Sequence, residues 1–110
     1  MANNFKRKLS RNIGTSATAV GSYTAPASTQ TSIFGLTCSN TTATAITVDV
    51  ALNDGSNDFF MIKNGTVPSG GSLIVVGGNQ KVVLETGDSV KVTSSAASSC
   101  DVIMSILEIT

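Results

Sequence analysis

The stretch that decides the fold is Ile46-Thr47-Val48-Asp49-Val50-Ala51-Leu52, near the middle of the 110-residue chain. Large apolar residues alternate in it with polar or small ones, so every second side chain points to the same side. This period of two predicts a β-strand with one buried face. Shorter apolar segments flank it, separated by turn residues about every 8–12 positions, and none of them predicts a long helix.

The remaining predicted strands cover residues 20–24, 31–39, 58–63, 73–76, 81–85, 89–93 and 100–110. With the central stretch they make about eight short strands, which predicts an antiparallel sandwich or barrel. Phe34, Leu36 and Cys38 are expected on one face, and Asn64-Gly65 is expected to form a turn. The last strand is apolar on both sides, so we expect one of its faces to be covered by other strands or by a second subunit.

The N-terminal segment differs from the rest of the chain in charge. Four of the seven Lys and Arg residues lie within residues 1–11, and no acidic residue precedes Asp49. Residues 1–17 show no strand or helix period and are predicted to form an extended basic arm, whereas residues 18–110 are predicted to form one sandwich domain. The sequence after Lys8 is too polar for a secretory signal, and no apolar run is long enough to span a membrane. We therefore expect a soluble protein made without Sec-type export.

The composition excludes several kinds of active site. The chain has no histidine and no tryptophan, and charged residues make up 13%. Catalytic arrangements that need imidazole, and most zinc sites, are therefore excluded, and we expect no enzyme activity, metal or cofactor. Asp54 and Asp58 share a loop, but its spacing is not that of a calcium loop and favours a simple turn. Cys38 and Cys100 match no metal-binding pattern; buried thiols are favoured, and a disulfide stays open.

The basic arm has three possible interpretations. It could dock onto an acidic neighbouring protein, remain a solvated tail, or contact nucleic acid. The chain has one tyrosine and four phenylalanines, and the remainder of the chain is acidic. Binding of nucleic acid by the sheets themselves is therefore disfavoured, because such surfaces need aromatic stacking platforms.

Three segments resemble one protein family. Residues 39–48 are similar to an "NTT-small-small-ITV" signature, and residues 62–73 resemble a "K-N-x-x-V-P-x-G-x-x-L" turn. Residues 84–92 with 101–110 resemble an "L-x-x-GDS-V-K-V … DV … LEIT" ending, and residues 5–8 and 22–24 are also similar. The family is that of small β-sandwich virion proteins from tailed phages, including marine and cyanobacterial phages and prophages. Cys38 and Cys100 depart from its pattern, which has small apolar residues there, and this favours buried thiols.

The resemblance implies a single jelly-roll-like sandwich and a non-enzymatic, multi-copy virion subunit. Its place would be the neck or head–tail region, or the capsid surface as a decoration or cement protein. The implied partners are capsid, portal, neck or tail proteins and further copies of the chain. From the sequence itself, no membrane partner is expected and nucleic acid is disfavoured as a partner. The protein would reside in the virion after synthesis in the bacterial cytoplasm. The alternative is a glycan- or receptor-binding module of a tail fibre or tail tip.

Two groups of residues are candidate interaction sites. The partner-docking residues of the arm are Phe5, Lys6, Arg7, Lys8 and Arg11. The candidate subunit interface on the last strand consists of Ile103, Met104, Ile106, Leu107 and Ile109.

Overall fold

The computed structural model describes residues 2–77 and 79–110, and nine β-strands lie within them. In chain order the strands are β1 (Asn3–Ile13), β2 (Thr18–Ala19), β3 (Gln30–Asn40), β4 (Ile46–Asn53), β5 (Asp58–Val67), β6 (Ser72–Val76), β7 (Val82–Leu84), β8 (Ser89–Ser94) and β9 (Cys100–Ile109). A short 3₁₀ turn, Val20–Ser22, follows β2.

The strands form two antiparallel sheets. Sheet A has the order β1-β9-β3-β6, with β7 also pairing with β3, and sheet B has the order β2-β8-β4-β5. Because β6 and β7 pair with different parts of β3, they occupy one position in the sheet, and nine strands fill eight positions. This order is the double Greek key of a jelly roll. The predicted all-β, jelly-roll-like sandwich of about eight strands is therefore confirmed.

The core lies between the two sheets and is built from the alternating positions that the sequence predicts. In β4, Ile46, Val48 and Val50 are buried and face the inner side of sheet A. The remaining buried strand residues follow the same rule, including Leu36, Cys38, Val90, Val92, Val102, Met104 and Ile106. Alternation therefore fixes which face of each central strand is covered.

The strongest departure from prediction is β1, which lies within residues 1–17. The expectation that no strand precedes Thr18 is wrong, because residues 3–13 pair along almost the whole of β9. The inward side chains of β1 include Lys6, Lys8 and Ser10, so the strand has no apolar alternation that could reveal it. The predicted boundary at residue 17 therefore separates β1 from the other strands of the sheet to which it belongs.

Three smaller predictions are also corrected. Residues 20–24 form the 3₁₀ turn and its exit instead of a strand. Phe34 does not share the buried face of Leu36 and Cys38, because a β-bulge between Ile33 and Gly35 leaves it on the outer side. The predicted turn at Asn64-Gly65 is instead a bulged part of β5.

That bulge has a clear local cause. Asn64 has a φ of 55°, and the register of β5 against β4 shifts between Val48 and Val50. Asp49 Oδ1 accepts a hydrogen bond from the Asn64 N–H at 2.7 Å, which replaces the missing strand pairing. The left-handed preference of Asn is therefore used inside a strand rather than in a hairpin.

Gly21 allows the 3₁₀ turn to close over β1. Its φ is +60°, and a Cβ built on it would lie 2.8 Å from Lys8 Cβ, which is closer than real Cβ atoms approach. The Gly21 N–H donates to Ser10 Oγ at 2.8 Å. A glycine is thus required at this position both for its backbone conformation and for the close contact with β1.

Candidate interaction surface

The outer face of sheet A can be read from the strand register, because residues directly opposite each other point to the same side. Phe5 lies opposite Leu107, which lies opposite Ser32, and Ser32 in turn lies opposite Val83. A second row lies four residues further along β1. In it, Leu9 lies opposite Ile103, Ile103 opposite Thr37, and Thr37 opposite Ile74. The two rows place large apolar side chains across the whole width of the sheet.

This face is exposed in the described chain. Of the eight large apolar side chains that are exposed in residues 2–77 and 79–110, six lie on it, with Phe5 at 73% and Ile74 at 69%. The six are Phe5, Leu9, Phe34, Ile74, Val83 and Ile103. Monomeric proteins seldom concentrate exposed apolar area in this way, and such patches mark contacts with other molecules.

Between the two apolar rows runs a row of small residues. Arg7 lies opposite Ser105, and Ser105 lies opposite Gly35. The rings of Phe5 and Phe34 meet edge to face with centroids 5.8 Å apart, and they form one wall beside this row. We call this row of small residues, together with the apolar side chains on either side of it, the apolar groove. Its floor is Ser105 and Gly35, its walls are Phe5 with Phe34 and Leu9 with Ile103 and Ile74, and Arg7 lies at its β1 end.

The structure does not require glycine at position 35. Its φ is not in the left-handed region, and a Cβ built there would meet only Ser105, at an ordinary 3.7 Å. A glycine inside a strand lowers stability, and often marks a place where another chain approaches closely. The side chain that is missing at Gly35 therefore leaves space above the sheet that the packing of the fold does not require.

The inner side of β1 carries charges that are used within the chain. Lys6 Nζ lies 2.7 Å from Glu108 Oε1, and the Glu108 side chain is almost fully buried. Tyr23 donates its hydroxyl hydrogen to Glu108 Oε2 at 2.6 Å, and its oxygen also lies 3.0 Å from Thr31 Oγ1. Lys8 Nζ lies 5.1 Å from the centroid of the Tyr23 ring. These contacts attach β1 to the sandwich.

The pKa values of Glu108 and Tyr23 fit a structural role for this cluster. The hydrogen bonds from Lys6 and then Tyr23 lower the pKa of Glu108 below its ordinary value. Burial, followed by the bond to Glu108, raises the pKa of Tyr23 to about 12. At neutral pH Glu108 therefore stays ionised and Tyr23 stays protonated. Neither group is poised to exchange a proton, as a general acid or base must be.

The predicted docking residues separate into two groups. Lys6 and Lys8 face inward and are engaged by Glu108 and Tyr23, as described above. Phe5 and Arg7 point outward on sheet A, and Arg11 is exposed at the end of β1. Only the outward three are positioned to meet another protein.

The predicted subunit interface on β9 also separates by strand alternation. Met104 and Ile106 have 0% exposure and pack in the core, so their assignment to an interface is wrong. Ile103, Leu107 and Ile109 lie on the outer side, where Ile103 is 55% exposed and the other two are half-buried. The two-sided apolarity of β9 thus has two causes, a core face and an outer face next to the apolar groove.

A second exposed aromatic feature lies on β5, at the edge of sheet B. Phe59 and Phe60 are consecutive, so they point to opposite sides of the strand, and both are at least half exposed. Lys63 Nζ lies 4.4 Å from the centre of the Phe60 ring. Asp54 and Asp58 are exposed beside them. We call Phe59 and Phe60 the aromatic knob.

The acidic loop before the aromatic knob is explained by turn chemistry. Asp54 Oδ1 accepts hydrogen bonds from the backbone N–H groups of Asn57 and Ser56, at 2.7 and 3.0 Å, and these bonds lower the pKa of Asp54. Asn53 Nδ2 donates to Asp58 Oδ1 at 2.7 Å. Within the described residues, no three His, Cys, Asp or Glu side chains are grouped as a metal site.

The two cysteines are buried and free, as the sequence favours. Cys38 lies opposite Val102 and Cys100 lies opposite Asn40, so the two thiols are diagonal neighbours on adjacent strands. The neighbouring Cys100 thiol, followed by burial, raises the pKa of the Cys38 thiol above its ordinary value. Cys38 is therefore an unreactive core residue under ordinary conditions. Within residues 2–77 and 79–110, no helix is long and apolar enough to cross a membrane.

Comparisons with known proteins place the chain by fold. No family model and no curated protein matches it. Among solved structures, a subunit of Bacillus endospore appendages, described as disulfide-linked pili, matches with a TM-score of 0.53 at 14% identity. That match covers 99% of this chain and 87% of the other.

Two viral structures are similar as well. A chain from the acid-stable capsid of Helicobacter pylori bacteriophage KHP30 matches with a TM-score of 0.57 at 6% identity, covering 100% of this chain and 89% of that one. A chain from the virus-like particle of the extra small virus of the prawn Macrobrachium rosenbergii matches at 0.50 and 15%, covering 98% and 79%. At these identities the comparisons define a shared jelly-roll fold.

Proposed function

We propose that the chain is a non-enzymatic structural subunit of a phage particle, present in many copies and located in the neck or head–tail region or on the capsid surface. The observation that carries the proposal is the exposed apolar face of sheet A, with six large apolar side chains on one side of one sheet. An exposed apolar surface of this kind is typical of a contact with another protein. Its similarity in fold to capsid and pilus subunits supports a role in an assembly.

The proposed contacts with other virion proteins use the outward residues of β1. Phe5 contributes apolar area, while Arg7 and Arg11 offer guanidinium groups that suit an acidic neighbour. Lys6 and Lys8 are left out of the proposal because they bind within the chain. Capsid, portal, neck or tail proteins are the partners, and the particle is the location. No membrane or nucleic acid takes part.

The test uses particles that contain the chain. Ile103→Lys places a charge on the apolar face without touching the core, so it is expected to lower the amount of the chain incorporated into particles while the purified variant keeps its melting temperature. Thr93→Lys on the outer face of sheet B is the matched control. Normal incorporation of the Ile103 variant would overturn the proposal.

The alternative function is a host-surface module of a tail fibre or tail tip that binds a glycan or receptor. The aromatic knob favours it, because sugar rings stack on exposed aromatic side chains beside polar groups. A glycan array probed with the purified chain tests it, and binding that is lost in Phe59→Ser would support it. An array without hits would remove the glycan form of this alternative.

A further inference from the structure

We propose that the aromatic knob of one copy inserts into the apolar groove of the next, so that the chain assembles head to tail with itself. This inference names the partner in the proposed multi-copy role and rests on that role. The two surfaces are different parts of the molecule, so each copy offers one groove and one knob. Contacts of this kind form closed rings or open filaments instead of two-fold dimers.

The sizes and the exposure of the side chains on the two surfaces favour this occupant. The apolar groove has a floor of Ser105 and Gly35. Gly35 has no Cβ, although the fold has room for one. The knob projects from an edge strand with its rings on opposite sides, Phe59 being 56% exposed. An aromatic side chain that fills an apolar depression is the usual anchor of a protein interface. Together the two surfaces hold seven of the eight exposed large apolar side chains of the described chain, and the eighth, Val83, lies on the same face of sheet A as the groove.

The carboxylates beside the knob are complementary to the arginines beside the groove, and Lys63, which lies over the Phe60 ring, is already paired with Asp49 at 3.3 Å. Arg7 lies at one end of the groove floor, and Arg11 follows on the same edge strand. The knob has Asp58 directly before Phe59, with Asp54 in the same loop. Insertion of the knob brings the acidic loop toward the basic edge, whereas packing one groove against another would leave the basic residues without acidic partners. Complementary charges of this kind select the orientation of a contact.

The closing experiment measures assembly of the purified full-length chain by sedimentation velocity at increasing concentration. Wild-type protein is expected to form species larger than dimers. Gly35→Leu fills the groove, and the Phe59→Ser, Phe60→Ser double variant removes the knob. Each is expected to weaken association at least about tenfold. Circular dichroism and the melting temperature check that both are folded, and Ile103→Lys replaces Gly35→Leu if the latter is not.

Mixing the two variants is the decisive arm. The knobless copy still has a groove and the groove-filled copy still has a knob, so an equimolar mixture is expected to form heterodimers that grow no further. The charge swap Arg7→Asp with Asp58→Arg in one chain is expected to restore the assembly that either single substitution weakens. Thr44→Ala, at an exposed position in the loop between β3 and β4 and outside both surfaces, is the neutral control.

Three results would overturn the proposal. They are wild-type protein that stays monomeric at every concentration, a knobless variant that assembles as wild type does, or a mixture that forms no heterodimer. Assembly of the knobless variant would indicate face-to-face packing of grooves instead. None of these results bears on whether the chain is present in particles, which is measured separately, so failure of this contact is distinguishable from failure of the proposed function.

Discussion

Lys6 on the first strand and Glu108 on the last are joined by an ion pair of 2.7 Å, and this pair links the edge strand of sheet A to the strand beside it. Most other side chains of β1 are exposed, and Ile13 alone among them is buried. The pair therefore connects a weakly packed strand to the core. Glu108 is also the only charged residue among the buried ones in the described chain.

Glu108→Gln is expected to destabilise the protein by about 1–3 kcal/mol at pH 7, since it removes a charge-assisted hydrogen bond at a buried site. The pKa of Glu108 is lower in the folded state than its ordinary value of 4.5. Its contribution to stability is therefore fully present above pH 4.5 and is lost as the pH falls through the folded pKa. Urea unfolding from pH 7 to 3 measures this change.

The matched control for that series is Glu85→Gln, at an exposed carboxylate. Glu108→Gln should have a flatter pH dependence than the wild-type protein, and the control reports the effect of removing an exposed carboxylate alone. Equal pH profiles for Glu108→Gln and the wild-type protein would show that the pair does not hold β1.

Tyr23 is expected to titrate near pH 12 in the folded protein, because burial and Glu108 raise its pKa to about that value. It is the only tyrosine and there is no tryptophan, so absorbance at long ultraviolet wavelength reports on it alone. Its contribution to stability is present below the ordinary pKa of 10.0 and is lost as the pH rises toward 12. A folded-state midpoint equal to that in concentrated urea would contradict the arrangement.

Gly21→Ala is expected to destabilise the protein by about 1–3 kcal/mol, because the new methyl group collides with Lys8 and the backbone has a positive φ. Gly70→Ala is the matched control, since Gly70 has a similar φ of +69° but has no neighbour within 4 Å of the added atom. The difference between the two unfolding free energies isolates the collision. If the two variants lose equal stability, the close contact between Gly21 and Lys8 is absent in solution.

The native thiols are expected to resist a colourimetric thiol reagent until the protein unfolds. Cys38 and Cys100 have no exposed area, and the pKa of Cys38 is raised. Both thiols should react after denaturation without a reductant. Fewer than two reactive thiols in the denatured protein would indicate a disulfide and would contradict the free state.

The central strands were predictable because their information is local. β4 alternates over Ile46–Leu52, and the same rule located most of β3, β8 and β9. β1 was not predictable in this way, since its inward positions hold Lys6 and Lys8 and its partner Glu108 is about one hundred residues away in sequence. The Asn64-Gly65 turn signal failed because Asp49, on the neighbouring strand, satisfies the bulged backbone.

The candidate surface was predictable only in part. Sequence patterns proposed Phe5, Arg7 and Ile103 as candidate interaction residues, although they could not separate these from inward neighbours such as Met104. The strand register distinguishes outward residues from inward ones. It also places Ile74, from a distant segment of the sequence, on the same outer face. The low floor at Gly35 has no sequence signal of its own, because it depends on Ser105 across the sheet.

The most direct test of the account is the number of copies of this chain in each purified particle, measured by quantitative mass spectrometry against a labelled standard. The account predicts many copies, about a dozen for a ring in the neck or tail and hundreds for a protein of the capsid surface, as closed symmetric assemblies require. Absence of the chain from purified particles, or a single copy in each, would contradict it.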